Sequence, residues 1–175
     1  MNNELPKVDI TYGIKRKSDR NYKGFLFSIV PAVKGAYSVE VTTIDGSVFT
    51  GNILKCNNRN GVIVFSDRRM LFCQLAKIKF IPRHEFDIIE SKTEFFDKDT
   101  LPKPRTFNLI LNKAHAVGKK NVAVFMNNGD IYKGACHNCD YDSVVLITDN
   151  NEREVIMYDA IKRIIPLEAD GSLAE

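Results

Sequence analysis

The sequence predicts a mainly β protein with short helices, its short strands packing as a small barrel or sandwich. Two observations carry this. Apolar, β-branched runs of strand length are separated by hairpin turn dipeptides, and the whole pattern occurs twice in one chain of 175 residues.

The second copy is the clearer one. Asn128-Gly129 suits a type I′ turn, whose two central positions need positive φ. Ile131 and Tyr132 then lead to Gly134, where a strand can bend or let another backbone approach. Residues 143–148 form an apolar run, 149–152 a turn, 154–158 a further strand and 160–166 a last short one. The first copy reads the same way: a strand at 37–44, the Asp45-Gly46 turn, a strand at 47–56 bending at Gly51, and a turn at 57–61. Strands at 62–66 and 70–75 follow, separated by a turn at 67–69, and residues 76–82 close the copy. A displacement of 83 carries Gly35, Val39, Val41, Gly46, Gly51 and Cys56 onto Gly118, Val122, Val124, Gly129, Gly134 and Cys139. One extra residue in the second turn makes it 84, carrying Ala76, Ile81 and Pro82 onto Ala160, Ile165 and Pro166.

Before each copy stands an apolar run of helical length. Residues 106–118 allow a helix ended by Gly118, and residues 24–35 a shorter one kinked by Pro31. The organisation expected is a basic, partly disordered leader (1–22), a first unit (23–82), a linker (83–104), a second unit (105–166) and a tail (167–175). The leader carries Lys7, Lys15, Arg16, Lys17 and Arg20. The linker is too apolar for a free tether, with Phe86, Ile88, Ile89, Phe95 and Phe96, and is expected to pack on the two units.

Composition bounds the function. A net charge of +3 permits an anionic partner without requiring one. There is no apolar stretch of the roughly 18 residues needed to span a membrane and no signal-peptide core, so a cytoplasmic protein is expected. Cys136 and Cys139 form a C-x-x-C, but no second pair stands at finger spacing and no helix follows. They read as strand-packed thiols rather than a zinc or redox site, like Cys56 and Cys73. His84, His115 and His137 lie in three different segments, and no phosphate loop or nucleophile elbow is present. No enzyme, catalytic residue, metal or cofactor is expected.

The order Asn128-Gly129, Lys133-Gly134, Asp140, Val144-Val145-Leu146, Ala160-Ile161 and Ile164-Ile165-Pro166 resembles the bacterial Sm-like RNA chaperone family, Hfq. The resemblance implies two Sm-like (SH3-like) five-stranded bent antiparallel barrels, each preceded by an N-terminal helix. It implies an RNA chaperone or RNA-regulatory ring that takes single-stranded RNA, with DNA as a further candidate. The alternative is an Sm-like assembly or protein-interaction module that has lost RNA binding. The family's Tyr-Lys-His triplet is replaced by Met157-Tyr158-Asp159 and by Cys73-Gln74-Leu75, so the proximal site is altered. Carried over by position, the candidate RNA contacts are Tyr141 and Phe125 as stacking platforms, Lys119, Lys120 and Lys133 as phosphate contacts, Tyr158, and Asn58 with Arg59 in the first copy's turn. Such barrels close rings by pairing the fourth strand of one with the fifth of the next. Three tandem chains would thus form a pseudo-hexamer.

Overall fold

The computed structural model describes residues 8–174. In chain order it contains β1 (Ile14–Lys15), α1 (Lys23–Ser28), α2 (Val30–Val33), β2 (Ser38–Thr43), β3 (Val48–Gly51), β4 (Ile53–Asn57), β5 (Val62–Phe65), β6 (Arg69–Leu71) and β7 (Leu75–Ile81). The second half follows with β8 (Arg105–Thr106), α3 (Asn108–Ala116), β9 (Asn121–Met126), β10 (Ile131–Cys139), β11 (Ser143–Ile147), β12 (Arg153–Met157) and β13 (Ile161–Pro166). The fold is mainly β with short helices, and its sheets are antiparallel and open. Among the described residues no helix is long and apolar enough to cross a membrane.

Local chemistry explains the hairpins. In β2–β3 the Asp45 carboxylate accepts the Ser47 N–H, and in β9–β10 the Asn128 side-chain oxygen accepts the Asp130 N–H. Gly129 then takes φ +94°, the left-handed region that a side chain disfavours. Gly134 serves a different need. A Cβ there would stand 2.8 Å from the Ile147 carbonyl oxygen, so only glycine lets β10 lie this close to β11. Pro31 splits the first helical run into α1 and α2, which meet at Ile29. In α3 the residues Ile110, Leu111 and Ala114 face inward.

Eight strands form one sheet in the order β13-β9-β10-β11-β12-β7-β2-β3, and β4-β5-β6 form another. Only Asn52 separates β3 from β4, so the same strand order occurs in each half: β7-β2-β3, continued by β4-β5-β6, and β13-β9-β10-β11-β12. The halves even share a bulge, between Ile53 and Lys55 and between Cys136 and Asn138, in agreement with the displacement of 83. Later strands correct the alignment. Ile78 faces Val41 as Ile164 faces Val124, a displacement of 86 rather than 84. Strand register follows the sheet partner, and the β11–β12 hairpin is longer than the β5–β6 hairpin.

The expectation of two independent barrels also gives way. β12 pairs with β7 through Glu154↔Lys79, Val155↔Ile78 and Ile156↔Lys77, so one sheet runs through both halves. The cores interlock across it. Val145, Val155 and Met157 pack with Phe25, Phe65, Phe72 and Ile78 of the first half. Ala76 packs with Phe107, Val124, Leu146 and Ile156 of the second. At this seam Lys77 and Glu154, each 5% exposed, form an ion pair of 3.2 Å, and the Lys77 ammonium lies 3.7 Å from the centre of the Tyr132 ring. The second Glu154 oxygen has no hydrogen-bond partner among the described residues.

The linker and the tail each hydrogen-bond to the rest of the chain, although most linker residues stay exposed. The linker donates the His84 N–H to Ser38 Oγ and the Ile89 N–H to the Ser66 carbonyl, while Phe95 stays 92% exposed. The tail folds back, with the Ala174 N–H on the Pro166 carbonyl. Lys7 of the leader lies outside the described residues.

Replacing Lys77 by Met strands a buried carboxylate. It is expected to lower stability by about 3–5 kcal/mol, whereas Lys77→Met with Glu154→Leu recovers most of the loss. Urea unfolding midpoints of the two variants check this, and equal losses in both would show that the pair is not the seam's critical element.

Candidate functional site

The structure separates the expected contact residues rather than gathering them on one face. Tyr158 is corrected outright. It is 2% exposed, packs edge-on against Phe107, and its hydroxyl bonds the Asn108 side chain. Burial pushes its phenol well above the usual range. It is a core residue because the chain after β12 makes a 3-10 turn at Tyr158–Ala160 that carries the side chain inward. Phe125 is half-buried on β9, opposite Ile131 and Arg163. Lys133 is exposed on β10, and Asn58 and Arg59 are exposed in the turn between β4 and β5.

The turn holding Tyr141 is occupied by the chain's own N-terminal segment. Arg16 donates to Asp142 Oδ1 at 2.6 Å and also to the Tyr141 carbonyl, and the Asn21 N–H bonds the other Asp142 oxygen. Arg20 grips Asp159 through two bonds of 2.8 and 2.9 Å. The bidentate grip suits a guanidinium fork, and this hydrogen bonding raises the Arg20 pKa further. Burial pushes the Asp142 carboxyl above its usual range, opposed by the Asn21 N–H and by Arg16. Asp140 caps the same turn, accepting the Asp142 and Ser143 N–H groups, and a Cβ on Gly24 would collide with its side chain. Residues 16–21 therefore form a strap whose arginines bind acids. Tyr141 itself remains 59% exposed.

Lys119 and Lys120 do come together with further residues. A cavity of about 200 Å³ is lined by Asn112 and His115 of α3, by both lysines, and by Cys136, His137, Asn138 and Cys139 of β10. Lys119 is shared with Glu168 at 2.8 Å, and the Lys120 carbonyl accepts the Cys136 N–H. Asn112 and His115 were missed in the sequence, although their spacing of three puts them on one helix face. The convergence of His137 and Asn138 depends on the β10 bulge, for which the residues give no pattern. The cavity gathers hydrogen-bond donors and two cations, an arrangement suited to an anionic group. Among the described residues no group of three or more His, Cys, Asp or Glu stands together as a metal site would need.

A family model described as repressor of phase-1 flagellin matches residues 9–164. A search of the curated proteins finds no match to the chain. The family match overturns the Hfq resemblance, and with it the RNA-chaperone ring and the Sm-like interaction module. The motifs behind that resemblance are turn glycines and strand runs, which any chain of short hairpins needs.

Arg16→Ala leaves Asp142 buried without its cation. The Asp142 pKa is expected to rise further and the strap to become open to proteolysis. Carboxyl NMR titration of the variant checks the shift, and an unchanged value would mean that Arg16 does not govern this turn.

Proposed function

The chain belongs to the family of repressors of phase-1 flagellin, and from that premise we propose that it lowers flagellin expression by binding nucleic acid of the flagellin gene or its transcript. The observation that carries this is the family match over nearly the whole chain. The cavity beside Lys119 and Lys120 supports it, since its donors suit a phosphate, although Glu168 competes for Lys119. The exposed Tyr141 ring lies in the same half and can stack on an unpaired base.

The test uses a duplex carrying the flagellin control region and, separately, the transcript leader, in filter binding over a range of salt. The whole chain is expected to bind one of them. Lys119→Ala with Lys120→Ala should weaken that binding and reduce the salt slope by up to about 2. Binding to neither, or an unchanged slope, sinks this reading.

The repeated strand order supports a duplicated small-barrel unit as the origin of the fold. A ring of three chains would need β13 to pair outward, along a strand against which residues 10–12 already pack and whose Ile161 carbonyl accepts Arg105. The working unit proposed is the single chain. Light scattering on the eluting protein should give 19.8 kDa, and three times that mass would restore the ring.

A further inference from the structure

We infer that Cys136 and Cys139 form a reversible thiol–disulfide site, oxidised by a low-molecular-weight disulfide. The bulge in β10 makes this possible. On an unbroken strand, residues three apart point to opposite faces. Here the ladder runs Cys136↔Leu146, Asn138↔Val145 and Cys139↔Val144, so His137 is the extra residue. The two cysteines therefore stand two rungs apart on one face, and both line the same cavity. Two rungs span about 6.6 Å, at the upper end of the roughly 4.4–6.8 Å that disulfide-linked Cα atoms show. The first half has the same bulge between Ile53 and Lys55 but places Ile53 where the second has Cys136. The pair thus belongs to the second half alone.

The surroundings favour Cys139 as the attacking thiol. The neighbouring Cys136 thiol holds it below the usual thiol range, with Tyr158 helping and burial and Asp140 opposing, while the Cys136 sulfur itself lies 3.9 Å from the Asn138 carbonyl. The same contact and burial raise Cys136. Lys119 and Lys120 line the cavity with them, and a lysine that approaches a thiolate stabilises it. The Cys139 thiolate attacks one sulfur of the small disulfide, forming a mixed disulfide and expelling one small thiolate. Cys136 then gives up its proton and attacks the Cys139 sulfur, closing the protein disulfide and expelling the second small thiolate. Two protein thiols are oxidised and one small disulfide is reduced to two thiols.

The full-length chain is equilibrated with glutathione at stepped ratios of oxidised to reduced form, quenched with N-ethylmaleimide and mapped by mass spectrometry. The expected product is a Cys136–Cys139 disulfide, with Cys56 and Cys73 alkylated. Cys136→Ser should trap glutathione on Cys139, while Cys139→Ser should load Cys136 about tenfold more slowly. Four results would overturn the assignment: an alkylated pair at the most oxidising ratio, a mixed disulfide that never closes, a link to Cys56, Cys73 or another chain, or faster loading of Cys136.

Discussion

Three rungs of backbone pairing between β7 and β12 hold this molecule together as one object. On β12 alternation sends Val155 and Met157 to one core and Ile156 to the other, while β7 gives Leu75 and Ile78 to the first core and Ala76 to the second across its irregularity opposite Thr42 and Thr43. Each half thus supplies part of its neighbour's interior. The Lys77–Glu154 pair lies at this junction with its charges largely withdrawn from water. Such a pair adds little net stability compared with apolar residues of similar volume, but it penalises any arrangement that leaves either charge alone. That fits a role in fixing which strand meets which. The Lys79–Glu152 contact at 3.1 Å repeats the polarity one step outward, where water screens it.

The strap follows the same logic on the second half's turns. Arg16 and Arg20 neutralise Asp142 and Asp159, carboxylates that burial would otherwise penalise. Much of the chain's basic character near its N-terminus is therefore spent internally. Lys119 and Lys120, with residues of α3 and the bulged part of β10, line a cavity that an outside anion could enter.

What was legible in the sequence was local chemistry. Asp45-Gly46 and Asn128-Gly129 announce hairpins, Gly51 and Gly134 mark close approaches, and the displacement of 83 holds through the bulge. What was not legible was set by distant partners. The match of Ala76 to Ala160 and of Pro82 to Pro166 looked like register, yet register is fixed by β2 and β9, which put Ile78 and Ile164 in equivalent places. An edge strand's need for a partner can be read from its pattern, but not that β12 of the same chain supplies it. The Arg16 and Arg20 pairings, more than 120 residues apart in sequence, leave no local pattern at all. The resemblance by position puts Tyr158 at the proximal site around a pore, whereas the turn after β12 drives it inward.

The seam also sets an order of events during synthesis. Lys77 and Glu154 are 77 positions apart, so β7 leaves the ribosome well before the strand that will cover it. At roughly 5–20 residues per second, the nascent first half waits about 4–15 s with one edge unpaired and Val145, Val155 and Met157 missing from its core. An early stop codon in the second half would therefore remove more than the residues it deletes, leaving a first half with an adhesive edge. Completion of the chain and maturation of its first half are one kinetic step.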